Sequence, residues 1–377
     1  MKDVSKSIIG TKGCYGCGIC VRVCGKHILD LKLNSDGFYE PVAINVDGCT
    51  NCGMCSSVCS FHSTIKTYTP IKAYAGWSKN VENRKNSSSG GVAYELARYA
   101  LSINYSFIGV RYNVEKKRAE HYITDNVDEL KESQGSKYLQ SFTIDALKQI
   151  NRKKKYIFIG TPCQVASMRL FIEKCKLSEN IILIDFFCHG VPSYTLWNKY
   201  LKEHSKGIDG IYSISWRNKE RGWHNSYCIT IEGENKKNLS YRENDDFFSF
   251  FLGDACLGKA CYDSCKFKSR NSCADIRLGD FWGKEYSKNE DGVCSVVINT
   301  DKGYNILSSS GVELKEHSFE MIYQGQMKVP ARRPWYYAYS SHVLKKEKSI
   351  LKILGAIIRN YKIIISYLQR INSMFSK

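Results

Sequence analysis

Cysteine is the residue type whose number and spacing most directly indicate chemistry in this sequence. The chain of 377 residues contains 17 Cys. Two runs have the spacing C-x2-C-x2-C-x3-C, namely Cys14, Cys17, Cys20 and Cys24, then Cys49, Cys52, Cys55 and Cys59. In this pattern one tight loop supplies three thiolates to an iron–sulfur cubane, and the fourth thiolate reaches the cluster of the other run. We therefore predict two 4Fe-4S clusters, the first held by Cys14, Cys17, Cys20 and Cys59 and the second by Cys49, Cys52, Cys55 and Cys24.

Zinc is the alternative metal for such a set of thiols. Structural zinc sites generally combine two C-x2-C pairs and do not use two four-Cys runs, so the spacing favours clusters. The Pro that commonly follows the fourth Cys is replaced by Gly25 and Ser60, which changes the local turn but removes no ligand. Gly18 and Gly53 are expected to let backbone N–H groups approach the cluster sulfides.

The remaining composition is that of a folded protein, with 43% hydrophobic residues. The first residues lack the apolar core of a signal peptide, and no stretch of about 18 uncharged apolar residues is present. Many Cys without a secretion signal favour metal or redox chemistry, so we expect a cytoplasmic location. The net charge of +18 favours acidic partners such as a ferredoxin. We expect no nucleic acid, because the basic residues are dispersed and no nucleic-acid motif accompanies them.

The predicted elements divide the chain into a ferredoxin-like module (residues 1–69), an α/β domain (70–340) and a basic helix (341–377), an α+β architecture overall. Alternating residues around Asp36-Gly37 predict a β-hairpin between the two Cys runs, and Pro70 marks the first boundary. We predict strands at residues 107–112, 156–159, 181–187, 212–216, 227–231 and 293–299, and helices at 92–101, 165–174 and 194–204. Strand–loop–helix order favours an α/β domain with ligand loops at the strand ends.

The predicted C-terminal helix is both basic and amphipathic. Apolar residues recur at alternating steps of four and three, which places them on one helical face. They are Ile350, Leu354, Ile357, Tyr361, Ile364, Leu368, Ile371 and Phe375. Residues 344–377 contain eight Lys and Arg and one acidic residue, Glu347, which gives a net charge of +7. Such a helix could lie peripherally on an anionic membrane, at its inner face, or could pack on its own domain or on a second subunit.

Seven further segments resemble the coenzyme F-420 hydrogenase/dehydrogenase beta-subunit family, which also includes 7-hydroxymethyl chlorophyll a reductase. They are SSSGGVAYELARYAL (87–101), GSKYLQS (135–141), GTPCQVA (160–166), DFFCHGVPS (185–193), WRNKERGW (216–223), ACYDSCKFK (260–268) and ADIRLGDFWG (274–283). The segments occur in order and extend the resemblance to about residue 340. The resemblance implies FAD and a further 4Fe-4S cluster in the larger domain.

The resemblance also implies the ligands of this third cluster. Carried over to this chain, they are Cys163, Cys188, Cys261 and Cys265. Three residues separate the last two Cys, where two are commoner in the family, so the flanking Cys256 and Cys273 remain alternative ligands. We interpret Cys175, Cys228 and Cys294 as packing residues.

The sequence offers a set of residues that could contact the FAD implied by the resemblance. They are Ser88, Ser89, Gly90, Gly91, Ser136, Lys137, Tyr138, Thr161 and Gln164. The first four precede a predicted helix, whose N-terminus offers free N–H groups to a pyrophosphate; a Ser N-cap without ligand is the alternative. Residues 136–138 offer a cation and an aromatic face, and the last two residues follow a strand, where ligands of α/β sheets collect.

His189 is the candidate catalytic residue, because it is titratable and lies beside the expected cluster and FAD. It could protonate a substrate or donate a hydrogen bond to a cluster thiolate, and the sequence favours neither. We expect an iron–sulfur flavin-dependent oxidoreductase that passes electrons from a ferredoxin-type donor to FAD and an unidentified small organic substrate. The alternatives are a non-catalytic electron-transfer subunit of a larger redox complex and a coenzyme F-420 oxidoreductase. The direction of electron flow and the oligomeric state are not predicted.

Overall fold

A computed structural model describes residues 3–346 and 351–375, and side chains as far as residue 365. The strands are β1 (Leu29–Leu33), β2 (Tyr39–Ala43), β3 (Lys72–Ser78), β4 (Tyr105–Asn113), β5 (Arg118–Thr124), β6 (Lys155–Ile159), β7 (Ile181–Phe186), β8 (Ser213–Arg217), β9 (Tyr227–Glu232), β10 (Lys237–Tyr241), β11 (Ile276–Asp280), β12 (Cys294–Ile298) and β13 (Val312–Glu316). The helices are α1 (Ile19–Val23), α2 (Met54–Ser57), α3 (Val81–Asn86), α4 (Val92–Ser102), α5 (Ile144–Gln149), α6 (Pro162–Lys174), α7 (Tyr194–His204), α8 (Asp246–Leu252), α9 (Asp301–Ser308), α10 (Phe319–Ile322), α11 (Tyr337–Leu344) and α12 (Leu351–Phe375).

A mixed sheet of eight strands forms the centre of the larger domain. Its order is β13-β3-β12-β11-β7-β6-β4-β5. The four central strands, β11, β7, β6 and β4, are parallel to one another. The pairs on either side of them, β11–β12 and β4–β5, are antiparallel. This arrangement confirms the predicted α/β class. Because β6 and β7 are parallel neighbours, with Ile159 beside Ile184, the segments that follow them leave the sheet side by side.

The N-terminal module repeats one backbone conformation at its two Cys loops. Gly16 and Gly18 have φ of 69° and 74°, and Asn51 and Gly53, at the equivalent positions, have φ of 52° and 75°. These left-handed residues turn each loop tightly before helix α1 or α2 begins. The predicted hairpin is present as the antiparallel pair β1–β2, with Leu31 opposite Pro41 in register.

The module and the larger domain share their cores. Leu31 and Tyr39 of the hairpin belong to the same buried cluster as Trp197 of α7. Ile19 and Val58, beside the Cys loops, pack in a second cluster with residues of α6. A cut near Pro70 would therefore expose apolar surface on both sides.

Helix α6 begins three residues earlier than the sequence pattern predicts. Thr161 is its N-cap, Pro162 occupies the first turn, and the Thr161 N–H donates to Gln164 Oε1 at 3.0 Å. Pro is favourable at the first helical position, where its missing N–H costs no hydrogen bond. Cys163 and Gln164 therefore lie in the first turn of a helix and not in the loop before it.

Helix α12 packs on α8 through one of its faces. Leu351, Leu354 and Ile358 are buried there. Arg359 donates from Nη1 to Ser249 Oγ at 2.9 Å, and Lys362 donates from Nζ to Asp254 Oδ2 at 2.9 Å. Packing on its own domain, one of the two alternatives from the sequence, is thus present. The predicted positions Ile350, Leu368, Ile371 and Phe375 lie outside the residues whose side chains the structure describes. Within the described part of the chain, no helix is long and apolar enough to cross a bilayer.

Candidate functional site: two cavities with a common wall

The four thiols predicted to hold the first cluster line one cavity. Cys14, Cys17, Cys20 and Cys59 all border a space of about 660 Å³. Burial, with a smaller contribution from the neighbouring Cys17, raises the pKa of Cys14 to about 12. The Gly16 N–H donates to Cys14 Sγ at 3.1 Å. Thiols with such raised pKa stay protonated at neutral pH unless a metal stabilises the thiolate, so the site suits a metal centre and not a reactive nucleophile.

The second predicted set lies nearer the protein surface. Cys49 and Cys55 are buried, whereas Cys52 is exposed. Burial raises the pKa of Cys55, and Cys24 of the first run adds a small further rise. The Asn51 N–H faces Cys49 Sγ at 3.4 Å, as the Gly16 N–H faces Cys14. This set therefore presents one thiol, that of Cys52, at the protein surface.

The four thiols carried over for the third cluster also converge. Cys163, Cys188, Cys261 and Cys265 line the same cavity of about 660 Å³ as the first set. Burial raises the pKa of Cys163, and the other three thiols raise it further. Burial, with a smaller contribution from Cys188, likewise raises the pKa of Cys261 to about 12.

The alternative ligands lie elsewhere. Neither Cys256 nor Cys273 borders this cavity. The Cys256 thiol lies near the Ser193 N–H, and the Cys273 thiol donates to the Lys66 carbonyl at 3.5 Å. Among the side chains that the structure describes, in residues 3–346 and 351–365, no three of His, Cys, Asp or Glu are placed to hold a single metal ion. Eight thiols border the one larger space, and iron–sulfur clusters of the 4Fe-4S type are typically held by four Cys thiolates each.

Tyr15 lies between the two thiol sets and was not predicted as a functional residue. Its hydroxyl donates to the Ser264 carbonyl at 3.0 Å. Its ring packs against Phe61 at 5.1 Å and Phe267 at 5.7 Å between centroids. Burial raises the pKa of Tyr15, and Cys163 and Cys265 raise it further. The only sequence signal was an aromatic residue inside the first Cys loop.

A second cavity of about 490 Å³ is bordered by most of the residues proposed for FAD. Its lining includes Ser88, Ser89, Gly91, Ser136, Lys137, Tyr138, Thr161, Gln164 and His189. Gly90 is the exception. A Cβ on Gly90 would lie 2.4 Å from the Gly76 carbonyl oxygen and 2.9 Å from the Cys294 nitrogen. Gly90 thus permits close packing of backbone between β3 and β12 and does not itself face the cavity.

The two predicted loops of this cavity are joined by hydrogen bonds. The Ser136 N–H donates to Ser88 Oγ at 2.7 Å. Lys137 donates from Nζ to the carbonyls of Glu132, Gln134 and Gly135 at 2.8, 2.7 and 3.1 Å. Burial lowers the pKa of Lys137 to about 7. The Lys137 ammonium, which we expected to face the cofactor, is therefore bound to carbonyls of its own loop and stabilises that loop.

The start of helix α4 depends on a left-handed residue. Gly91 is its N-cap with φ of 87°. Glu95 in the first turn is buried, and it accepts from the Ser78 hydroxyl at 2.6 Å and the Asn83 amide at 2.8 Å. Cys294, interpreted from the sequence as a packing residue, also borders the cavity here. Burial raises the pKa of Cys294, and the Val92 N–H opposes that rise.

Arg217 connects three parts of the cavity wall. The sequence analysis did not predict it as a functional residue, although it lies in the resembling segment 216–223. It is buried, and from Nη1 it donates to the Tyr138 hydroxyl and to Asp280 Oδ2, both at 3.2 Å. From Nη2 it donates to the Ser88 carbonyl at 3.2 Å. Its guanidinium lies 4.4 Å from the centre of the Tyr227 ring. Arg217 thereby fixes the aromatic side of the cavity relative to the serine loop.

Of the two Trp considered from the sequence, Trp282 borders the cavity and Trp223 does not. Their rings are stacked, with centroids 5.4 Å apart and planes at 6°. Trp223 is fully buried and donates from Nε1 to Asp280 Oδ1 at 3.0 Å. It therefore supports the wall from behind.

His189 faces a carboxylate at the cavity wall. Its Nε2 lies 3.0 Å from Asp254 Oδ1, and its ring packs edge-on against Phe251 at 4.9 Å. The other oxygen of Asp254 accepts from Lys362 of α12 at 2.9 Å. The His189 carbonyl accepts from Lys268 at 2.9 Å. The imidazole thus faces a carboxylate at one nitrogen, and Lys268 binds the backbone behind it.

The two cavities share a wall. The residues that border both include Thr161, Gln164, Cys188, Gly190 and Lys268. They come from the segments that follow β6 and β7 and from the loop beyond Cys265. The parallel pairing of β6 and β7 thus brings a thiol set and a large polar–aromatic cavity into contact.

Comparison with known families and structures agrees with the resemblance seen in the sequence. Residues 73–148 match the family model of the N-terminal part of the coenzyme F420 hydrogenase/dehydrogenase beta subunit, and residues 153–319 match that of its C terminus. Residues 13–63 match the 4Fe-4S dicluster domain, which supports the predicted N-terminal clusters. A search of curated proteins found no match.

Among solved structures, one chain of the F420-reducing [NiFe] hydrogenase complex from Methanosarcina barkeri, in its xenon derivative, is similar with 18% identity and a TM-score of 0.48. The match covers 67% of this chain and 83% of that one. The two beta-subunit models together span most of the larger domain. The chain therefore belongs to the coenzyme F420 hydrogenase/dehydrogenase beta-subunit family, with an iron–sulfur electron-transfer module at its N-terminus.

Proposed function

We propose that this protein is an iron–sulfur flavoenzyme that takes electrons from a ferredoxin-type donor and reduces a small organic substrate. The observation that carries the proposal is the wall shared by the thiol-lined cavity and the polar–aromatic cavity. When bound, 4Fe-4S clusters supply one-electron transfer, and FAD connects it to two-electron chemistry. The common wall, with Cys188 in it, supports a direct contact between the two kinds of centre.

The residues of the second cavity fit FAD in their chemistry. Ligand sites of this kind are concave, largely apolar or aromatic, and carry a few well-placed polar groups. Here Tyr138, Tyr227 and Trp282 form the aromatic side. Ser88 and Ser136 would receive the phosphates, beside the N-terminus of α4, where backbone N–H groups and the helix dipole favour an anion.

His189 is the residue we propose to hold or donate a proton at the substrate. The contact between its Nε2 and Asp254 orients the ring, as carboxylates orient imidazoles in other acid–base sites. Lys268 fixes the backbone of the same turn. These contacts limit the movement of the imidazole relative to the cavity.

Electron entry is proposed at the second thiol set. The exposed position of Cys52 brings this set nearest to an external donor. The net charge of +18 favours an acidic protein such as ferredoxin, since complementary charge accelerates encounter.

Two other functions use the same architecture. A non-catalytic electron-transfer subunit is favoured by the family description, which names a beta subunit of hydrogenases and dehydrogenases. Coenzyme F420 oxidoreduction is favoured by the same description, which names coenzyme F420. Both remain alternatives that the following experiment separates.

The test is cofactor analysis of anaerobically purified protein, followed by reduction assays. We expect FAD to be released on denaturation and its absorbance to bleach when reduced ferredoxin is added. Bleaching by reduced coenzyme F420 but not by ferredoxin would favour the deazaflavin alternative. Iron without flavin, even after incubation with FAD, would remove the proposed reaction centre and favour the electron-transfer subunit.

A further inference from the structure

The last part of the chain holds half of the net positive charge of the protein. Residues 328–370 contain ten Lys and Arg and one acidic residue, Glu347, for a net charge of +9 out of +18. Some of these cations are used internally: Lys345 lies on Asp36, Arg359 on Ser249 and Lys362 on Asp254. Others are exposed, among them Lys328, Arg332, Lys346 and Lys352.

The same segment exposes large apolar side chains on the face of α12 that does not pack on α8. Ile353, Ile357 and Ile364 are 64%, 57% and 57% exposed. Their spacing of four and seven residues puts them on one side of the helix. Tyr361 lies on this side as well, and its ring contacts Trp335 at 6.1 Å between centroids. Trp335 is 77% exposed. We call these five residues the C-terminal surface.

We propose that the C-terminal surface docks the protein on an anionic lipid bilayer. A basic amphipathic helix with isoleucines on one side and exposed aromatic rings beside it is the composition of interfacial membrane helices. Trp and Tyr prefer the level of the lipid headgroups. Exposed cations of the same segment, such as Lys346 and Lys352, add attraction to anionic lipids.

Docking in this way would place the second cavity beside the membrane. Gly325, Gln326 and Met327 border that cavity, and Lys328 follows directly in the chain. Helix α12 is also connected to this cavity, because its Lys362 contacts Asp254, the carboxylate that faces His189. The docking proposal does not depend on which cofactor or substrate the cavity binds.

Vesicle flotation with the full-length, cluster-containing protein tests the proposal. The probes are vesicles of phosphatidylglycerol with phosphatidylcholine, and vesicles of phosphatidylcholine alone, at low and at physiological salt. We expect binding to the anionic vesicles, weakening with salt, and little binding to the neutral ones. Equal binding to both vesicle types, or no binding to anionic vesicles at low salt, would overturn the proposal.

Three variants locate the contact. Ile357→Glu should weaken binding by at least about tenfold, because it places a charge in the apolar face. Lys352→Glu should weaken binding by roughly 30-fold, because it changes the charge at the membrane surface by two units. The matched control is Ile44→Glu, since Ile44 is 58% exposed but lies in the N-terminal module; its binding should equal that of wild type.

The variants also distinguish the other occupants of this surface. A variant whose iron content equals that of wild type has folded. If Ile357→Glu does not fold, Lys352→Glu provides the test, because it alters an exposed side chain. An equal loss of binding in Ile44→Glu would overturn the assignment of the surface. A dimer that Ile357→Glu converts to monomer, with no vesicle binding by wild type, would show that a second copy of the chain covers this surface and would refute the membrane proposal.

Discussion

The buried ion pair between Asp185 and Arg277 gives a prediction that links stability to the wall of the candidate site. Both side chains are essentially inaccessible, with 0% and 1% exposed. Arg277 donates to both carboxylate oxygens, at 2.8 and 2.7 Å, and to the carbonyls of Ser269 and Asn271 at 2.7 and 2.9 Å. The loop held in this way follows Lys268, which fixes the His189 turn.

Replacing Arg277 with Ala leaves Asp185 buried without its counter-charge and frees two loop carbonyls. Breaking a buried pair in this manner costs about 3–5 kcal/mol. Arg270→Ala is the control, because Arg270 forms a 3.7 Å pair with Glu320 in which the two side chains are 59% and 76% exposed. Exposed pairs contribute about 0–1 kcal/mol, so we expect little change from the control.

Hydrogen exchange followed by mass spectrometry measures the effect locally, in peptides that cover β7 and β11. In Arg277→Ala, exchange of these amides should accelerate by roughly 150- to 5000-fold, which corresponds to 3–5 kcal/mol of local stability. Arg277→Lys, which keeps the charge but loses the two-pronged contact, should fall between wild type and Ala. An acceleration below about fivefold in Arg277→Ala would refute the reasoning, as would an equal effect in Arg270→Ala.

Three further predictions concern the second cavity. Tyr138→Ala should weaken FAD binding, measured by equilibrium dialysis, by about tenfold because an aromatic contact is lost. The control Tyr212→Ala, at a side chain that is 64% exposed, should bind FAD as wild type does. Equal affinities of Tyr138→Ala and wild type would exclude Tyr138 from the site. Gly91→Ala should lower the melting temperature, because φ of 87° at this N-cap costs an L-residue about 1–2 kcal/mol, and an unchanged melting temperature would contradict that strain. Burial lowers the pKa of Lys137 from 10.5 to about 7. Between these two pH values the unfolded chain binds more protons than the folded one, so the free energy of unfolding should rise with pH. In Lys137→Met this rise should be smaller, and an unaltered pH profile of the free energy of unfolding would show that Lys137 does not cause it.

The sequence predicted best where short covalent spacing alone restricts the geometry. The two Cys runs identify their loops because thiols two residues apart must lie close together whatever the rest of the fold does. The hairpin around Asp36-Gly37 and helix α7 at Tyr194–His204 follow from local alternation and helical periodicity. Each of these signals lies within a few consecutive residues.

The third thiol set could not be derived from spacing. Cys163 and Cys265 are far apart in the chain and meet because β6 and β7 pair in parallel and the later loop folds over their ends. The family resemblance indicated the full set, and the places of Cys163 and Cys188 directly after two predicted strands agreed with it. Tyr15 and Arg217 were missed for a related reason, since a single aromatic or charged residue has no periodic pattern and its role appears only when the partners are known.

Gly90 and Lys137 show a different limit of the sequence. Both residue types suit a phosphate site, and both lie in the predicted loops. Gly90 is instead required by the close approach of the Gly76 carbonyl, and the Lys137 ammonium is bound by three carbonyls of its own loop. Residue type predicted the location of the cavity but not the tertiary contacts of these two side chains.

Iron content per chain tests the central claim most directly. The intact protein, purified or reconstituted anaerobically, should hold about 12 Fe if three 4Fe-4S clusters are present. Cys163→Ala should lower this to about 8 Fe, whereas Cys228→Ala, at a buried thiol in β9 away from both cavities, should keep about 12. About 8 Fe in the wild type, or iron in Cys163→Ala equal to that of wild type, would contradict the third cluster and with it the proposed path between the two cavities.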